Sequence, residues 1–383
     1  MIHWRLSRAV TVAAAAVAVG LAAAPATAAA SGTFIAAGSM HAAHTQGKAT
    51  LLPDGQVLIT GADSGGGSPL PRPELYNPPT GTWAVTAQMN TPRTDATATL
   101  LPDGQVLVAG GTSAAGAFAI SSAELYNPAT GAWAVTGNMH QGRSGINGAG
   151  ASATLLPDGE VLIAGGEDAN FNPLASAELY DPATGEFSPT GSMTTALSDP
   201  SATLLNDGQV LMAEGGVADL YHPATGKFTA TGTMISVHAD PVGTLLPDGD
   251  VLVTGKGQFF AELYNPATGR WSNASTGLGT CEGIAECRMF STATLLPTGN
   301  VLVAGGLVGL DQNPQTTPGA MLYHPGTNTW TSTGSMTTGR ENQTATLLPD
   351  GQVLMAGGTL FDHPSTTRPG VLQVLSSAEL YTP

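Results

Sequence analysis

The string Thr-Leu-Leu-Pro-Asp-Gly-Gln-Val-Leu at residues 99–107 returns along the chain with small changes, and its starts at Thr50, Thr99, Thr154, Thr203, Thr244, Thr294 and Thr346 define seven units. The spacing is roughly 50 residues, a period that belongs to stacked or circular repeat architectures rather than to a single irregular domain. Each unit contains four short strand candidates separated by turn residues, the pattern of a four-stranded antiparallel sheet. In the second unit, strand a covers 98–101 and is followed by Asp103-Gly104, which supplies the positive φ of a tight hairpin. Strand b covers 106–109, an apolar run expected to be covered on both faces. Gly110-Gly111 ends it, strand c covers 122–126, and Asn127-Pro128-Ala129-Thr130-Gly131 turns the chain into strand d at 133–139.

The chain ends test this reading. The last unit stops after strand c at residues 377–383, and the missing strand d is found at 33–40, whose Thr-Phe-Ile-Ala-Ala-Gly-Ser-Met follows the pattern around Trp330 to Met336. The N-terminal segment is expected to complete the last blade and so close the ring without an exposed sheet edge. On these residues the chain resembles the kelch-repeat propellers, a family that includes the central domain of galactose oxidase and many substrate-binding adaptors. The resemblance spans nearly everything from Phe34 to Pro383 and implies an all-β, seven-bladed kelch-type β-propeller. Propellers host unrelated activities, so it implies little about function.

Residues 1–30 fall outside that pattern. Arg5 and Arg8 form a basic n-region, 9–24 an apolar h-region, and Ala26-Thr27-Ala28 a small-residue cleavage site, as in a secretory signal peptide. The expectation is therefore a signal peptide at 1–30 and a propeller at 31–383, secreted or periplasmic, with no membrane insertion, and monomeric. The formal net charge is −16, which argues against a nucleic-acid partner. Much of that charge follows the repeat. Asp54, Asp103, Asp158, Asp207, Asp248 and Asp350 share the a–b turn, and Glu74, Glu124, Glu178, Asp219, Glu262 and Glu379 share one position in strand c. Unit six departs at both, with Thr298 and Met321. Cys281 and Cys287 are the only cysteines, and in an oxidising compartment they are expected to bond, closing a short loop worth about 2–3 kcal/mol.

Antiparallel order puts the b–c and d–a loops on one rim and the uniform a–b and c–d turns on the other. Loop-length variation concentrates on the first, at 112–121, 167–175, 307–319 and 359–375, which is where function on a rigid scaffold is expected. The aromatics left over by the repeat, Phe118, Phe171, Phe259, Phe260, Phe290 and Phe361, map there too. They either pin the loops or form a binding surface. A cation ring follows each strand-d methionine: His44, Arg93, Arg143, His238, Arg288 and Arg340, with Leu197 in the seventh place. Nearby, Asp95, Asp199 and Asp240 lie four residues before the repeat threonine, where Gln46 and Asn342 also occur. Two readings stay open: the cations grip a polar ligand such as a sugar, an anionic sugar or a peptide carboxylate, or they pair with carboxylates and staple the blades. Kelch adaptors use comparable rim arginines on acidic peptides, which favours binding at this rim.

The resemblance to galactose oxidase implies a copper held by tyrosine and histidine, with one tyrosine cross-linked to cysteine. This chain departs from that pattern, because all seven tyrosines occupy one strand-c position and both cysteines lie in one loop. His41, His44, His140, His238 and His363 reach the variable rim, but on different blades. No cofactor, metal site or catalytic set is expected. The leading reading is a secreted module that binds a glycan or an extracellular protein through His44, Arg93, Asp95, Arg143, Asp199, His238, Asp240, Arg288, Arg340, Phe171, Phe259 and Phe260. The alternatives are a carbohydrate-active enzyme, such as a mutarotase or epimerase resembling the bacterial sialic-acid propellers and using Arg340, Glu341 and Asp95, or a diverged galactose-oxidase-like protein.

Overall fold

A computed structural model describes residues 32–383 except 66–68, 114–117, 146–149, 257–260, 275–287, 310–313 and 363–370. Gly32–Pro383 forms one compact unit in which seven of the four-stranded antiparallel sheets are blades, each ordered a-b-c-d. The a strands, Lys48–Leu51, Thr97–Leu100, Ser152–Leu155, Ser201–Leu204, Ala239–Leu245, Thr292–Leu295 and Thr344–Leu347, open blades 1 to 7 in chain order. Blade 2 continues with b at Val106–Ala109, c at Ser122–Asn127 and d at Ala132–Asn138. In blade 7 the order is Thr344–Leu347, Val353–Ala356, Ser377–Thr382 and then Thr33–Ser39. Phe34 pairs with Tyr381 and Ala36 with Glu379, so the N-terminal strand closes the ring as the sequence predicts.

The a strands pack against one another around the axis, while the b strands behind them are buried along their length, as in Val57–Thr60 and Val161–Ala164. Between consecutive blades lie apolar clusters. Leu101, Leu107 and Met139 of blade 2, for example, meet Val161, Ile163, Tyr180 and Phe187 of blade 3.

The remaining repeat signature is a blade-to-blade hook. Each strand-c tyrosine is fully buried and meets its own strand-d aromatic with ring centroids 4.8–5.0 Å apart, as in Tyr180–Phe187 and Tyr264–Trp271. In four blades its hydroxyl pairs with a threonine in or just after strand d of the preceding blade: Thr136–Tyr180 at 2.9 Å, Thr190–Tyr221 at 3.0 Å, Thr231–Tyr264 at 2.7 Å and Thr333–Tyr381 at 2.9 Å; Tyr323 instead meets Asn328 of its own blade at 3.0 Å. The glycine after that threonine is required by close approach. The Gly137 N–H donates to the Gly185 carbonyl of the next blade at 2.9 Å, and a Cβ there would stand 2.4 Å from that oxygen. The Thr-Gly-x-Met run is thus an interface motif. At the ring seam Ala37 replaces the threonine, and the Tyr76 hydroxyl is left buried without a hydrogen-bond partner.

On the loop rim, two segments read as loops from the sequence contain strands. Leu307–Val308, Gln315–Thr316, Thr359–Asp362 and Val371–Val374 form a small sheet joining the b–c excursions of blades 6 and 7. Among the described residues no helix is long and apolar enough to cross a membrane.

Candidate functional site

The cation ring is structural. Arg93, Arg143 and Arg340 are 0–1% exposed, and His44, His238 and Arg288 are 1–5% exposed. All but Arg288 turn back to meet the strand-c carboxylate of their own blade: His44–Glu74 at 3.1 Å, Arg93–Glu124 at 3.1 Å, Arg143–Glu178 at 3.3 Å, His238–Glu262 at 3.1 Å and Arg340–Glu379 at 3.0 Å. Arg93 also donates to the carbonyls of Gly110 and Ser122 at 3.0 and 2.6 Å. Arg288, where Met321 replaces the glutamate, donates to the carbonyls of Gly305 and Gly319 at 3.1 and 2.5 Å.

The same carboxylate holds the chain crossing over from the previous blade. Glu124 accepts the backbone N–H groups of Asn90 and Thr91, both at 2.8 Å, and Glu178 accepts those of His140 and Gln141 at 2.7 and 3.0 Å. Glu74 is buried, which by itself raises its proton affinity, yet hydrogen bonds from His44 and from the His41 and Ala42 backbone bring its pKa down to about 2. Burial lowers the proton affinity of the Arg93, Arg143 and Arg340 guanidiniums, and the facing carboxylate opposes it. A ligand gripped by this ring would need the guanidiniums at the surface, whereas His44, Arg93, Arg143, His238, Arg288 and Arg340 are buried and face their own blades. They staple strand c to the crossover.

Immediately inside this ring, the position four residues before each repeat threonine forms a second circle around the axis: Gln46, Asp95, Gly150, Asp199, Asp240, Phe290 and Asn342. Gln46, Asp95, Asp240, Phe290 and Asn342 have positive φ of 50–60°, a region that non-glycine residues rarely occupy and that concentrates at functional sites. Neighbouring members bond to each other. The Gln46 N–H donates to Asn342 O and the Asn342 N–H to Phe290 O, both at 3.2 Å, and the Gly150 N–H donates to Asp199 Oδ1 at 3.1 Å.

A cavity of about 230 Å³ opens at this mouth, lined by Gln46, Lys48, Asp199, Asp240, Phe290, Ser291, Asn342 and Gln343 among others. Asp199 and Asp240, read as candidates from the sequence, are therefore brought together; Asp95 belongs to the circle but not to this lining. Burial first, then the nearby Asp240 and Glu214 charges, raise Asp199 to about 7 against the Gly150 N–H and the Lys48 ammonium. Asp240 is raised to about 6 by burial and Glu214.

Sequence reasoning missed Lys48 and Glu214. Their signal was a break in the repeat: Lys48 stands where the other a strands carry Thr97, Ser152, Ser201, Val242, Thr292 and Thr344, and Glu214 stands where the other blades have glycine. Glu214 accepts from Ser198 Oγ at 3.0 Å and from the Asp199 N–H at 2.9 Å. In the same blade Leu197 replaces the cation, and Asp219 takes the Thr194 N–H and hydroxyl at 2.6 and 2.7 Å.

Phe171 lies at the loop rim, 48% exposed, in edge contact with Phe118 at 4.8 Å, away from the axial cavity lining. Phe259, Phe260, Cys281, Cys287 and His363 lie outside the described residues, as do 1–31. The turn rim also carries a cavity, of about 390 Å³ between Asp54, Pro79 and Pro349, built from turn residues that recur in other blades.

No family model matches this chain, and no curated protein does. Among solved structures it is similar to a fungal alcohol oxidase of the AA5 family, in complex with copper, at 17% identity and a TM-score of 0.68, covering 92% of this chain and 76% of that one. That likeness establishes the propeller fold. Among the described residues the donor set of a copper site does not fit: every tyrosine is buried, His41, His44, His140 and His238 pair with the glutamates of their blades, and His222 and His324 sit on the turn rim. Among the described residues no three His, Cys, Asp or Glu side chains are placed to hold a metal ion.

Proposed function

We propose that the protein is a ligand-binding propeller that takes a glycan in the axial cavity of its loop rim. The observation that carries this reading is the cavity's lining: two carboxylates, an ammonium, three side-chain amides and one aromatic ring around a space sized for a single sugar ring. Planar polar groups suit the hydroxyls of a pyranose and an aromatic face suits its C–H surface, a mostly preformed site with a few convergent polar groups. The charge of the ligand is also constrained. The rim cations are buried against glutamates while the carboxylates Asp199 and Asp240 line the cavity, which favours a neutral or cationic glycan over an anionic sugar or a peptide carboxylate. Export after signal-peptide cleavage, and a monomeric state, accompany this reading.

A glycan array followed by calorimetry tests it. Asp240→Asn is expected to lower the affinity of the best array hit about tenfold, the worth of one hydrogen bond to a charged group, and Asp158→Asn on the turn rim is expected to leave it unchanged. Equal effects at both positions, or retention of an extracellular protein with no glycan bound, would refute the axial glycan site.

The proton affinities of Asp199 and Asp240, near 7 and 6, favour a second reading, acid–base chemistry on a bound sugar as in a mutarotase. Arg340 has no part in it, being paired with Glu379 inside blade 7. Anomer exchange followed by NMR separates the two: exchange accelerated by wild type and lost in Asp199→Asn supports the enzyme.

A further inference from the structure

Next to the axial cavity, and sharing Gln46, Phe290 and Asn342 with it, lies a second cavity of about 390 Å³. Thr45, Asp63 and Glu341 contribute its polar side, and Phe361, Leu372 and Val374 of the small loop sheet contribute an apolar wall.

Phe290 is common to both spaces. It occupies a position of the axial circle that is polar or glycine in the other six blades, with φ 55°, and a bulky aromatic in that region is a genuine outlier. Its backbone is held there by the bond from the Asn342 N–H. Phe290 is thus shared by the two spaces, with Asp199 and Asp240 in one lining and Asp63 and Glu341 in the other.

Glu341 supplies the chemical specificity. Its Oε2 is buried with no hydrogen-bond partner, although its backbone N–H is anchored on Thr359 O at 3.0 Å. Burial, and then the Asp240 charge, raise its pKa to about 7, as expected for a carboxylate that lacks a donor or a countercharge. Across the two linings Asp63, Asp199, Asp240 and Glu341 face one cation, Lys48, among the described residues. An uncharged hydroxyl would satisfy the hydrogen-bonding demand of Glu341, but only a cation also offsets the carboxylate excess.

We infer that the two cavities form one continuous site for an oligomer of an amino sugar, with one ring in the axial cavity and the next beyond Phe290, its ammonium donating to Glu341. The inference rests on the glycan reading above and adds to it a minimum length of two units and the class of sugar.

Calorimetry at constant pH with glucosamine, its β-1,4-linked dimer and the N,N′-diacetylated dimer tests it on the mature protein and its variants. In wild type the dimer is expected to bind about tenfold tighter than the monomer, and diacetylation to weaken the dimer about tenfold, as loss of a charge-assisted hydrogen bond requires. Glu341→Gln is expected to abolish the dimer's preference for the free amine, and to melt no lower than the parent, since it removes an unpartnered buried carboxylate. Phe290→Ala is expected to reduce dimer affinity more than monomer affinity. A dimer no tighter than the monomer, or an amine preference that survives Glu341→Gln, would overturn the inference. Failure of all three probes, with another glycan still bound and lost in Asp240→Asn, would overturn it and leave the axial site standing. Glycan binding indifferent to Asp240→Asn would remove both.

Discussion

Replacing Arg340 with leucine removes one member of a pair whose two side chains are 0% and 4% exposed. The guanidinium makes four bonds, to Gly357 O at 2.8 Å, Ser377 O at 3.0 Å, Ser377 Oγ at 3.1 Å and Glu379 Oε1 at 3.0 Å. Breaking a buried ion pair from one side leaves the other charge uncompensated, at a cost of about 3–5 kcal/mol. Glu379 keeps the Thr337 N–H and hydroxyl, both at 2.8 Å, which puts the loss toward the lower end of that range. For a propeller of about 350 residues, an unfolding entropy near 2.1 cal/mol/K per residue converts a loss of about 3–4 kcal/mol to a fall in melting temperature of about 4–5 °C.

Blade 4 shows how a blade can do without the pair: leucine stands in the cation's place, and the shorter Asp219 is held by Thr194 alone. The double variant Arg340→Leu/Glu379→Asp copies that arrangement and is expected to melt higher than Arg340→Leu. Recovery is partial, because the Gly357 carbonyl still lacks its donor. Differential scanning calorimetry of the two variants, with calorimetric titration of the ligand, decides the matter. An Arg340→Leu protein that melts within about 1 °C of the parent yet loses ligand affinity would mean that the guanidinium serves the ligand and that the staple argument is wrong.

At the ring seam, Ala37→Thr offers the Tyr76 hydroxyl the partner that Thr231 gives Tyr264, and is expected to stabilise by about 1 kcal/mol in urea unfolding; a destabilised variant would show that the seam has no room for the hydroxyl. Stability should peak at mildly acidic pH. Asp199, Asp240 and Glu341 ionise near 7, 6 and 7 when folded but near 4 when unfolded, so between these values the native state holds more protons and stability falls as pH rises from about 4 to 7. Glu74, held at about 2, acts oppositely, and its contribution is lost as pH falls from about 4.5 toward 2; a melting temperature that climbs steadily from pH 4.5 to 7 would contradict this. Cys281 and Cys287 are expected to be bonded in exported protein, and two alkylatable thiols by peptide mapping would refute the bridge. Deleting residues 33–40 removes the strand paired with Ser377–Thr382 and should yield an aggregation-prone protein, whereas a truncation that melts like the parent would not fit this closure.

The blades were legible because their turns are local chemistry. Asp103 Oδ1 accepts the Gln105 N–H at 2.9 Å, and the Asn127 side chain accepts the Ala129 N–H at 3.0 Å, so short strings carry enough information to place each hairpin. The direction in which Arg93 points was not local. It depends on a glutamate 31 positions away, and a cation near a rim reads identically whether it faces solvent or its own sheet. The repeat held the answer in another form: a residue type that recurs at one position in blade after blade serves what every blade has in common, which is folding. That reasoning assigns the seven tyrosines correctly to packing, and it applies equally to the arginines. Glu341 and Lys48 were harder to weigh, because their proton affinities and surroundings arise only when blades 1, 4, 5 and 7 are brought to one axis.

A ring of near-identical blades presents near-identical surfaces around its axis, and such a surface has no means of orienting an asymmetric ligand. Specificity must come from the places where the repeat is broken. On the loop rim those breaks converge. Lys48 replaces a small residue in blade 1, Leu197 and Glu214 replace a cation and a glycine in blade 4, and Phe290 replaces a polar residue or glycine at the end of the crossover into blade 6. Lys48 and Phe290 line the axial cavity directly, and Glu214 acts on it through the Asp199 backbone and the proton affinities of Asp199 and Asp240. Lys48, Phe290 and Glu214 meet at one mouth, which is what a site built by breaking symmetry requires. The staples beneath it explain how the breaks are tolerated, since the Glu74, Glu124, Glu178, Glu262 and Glu379 clamps fix the crossovers and leave the residues that follow them free to differ.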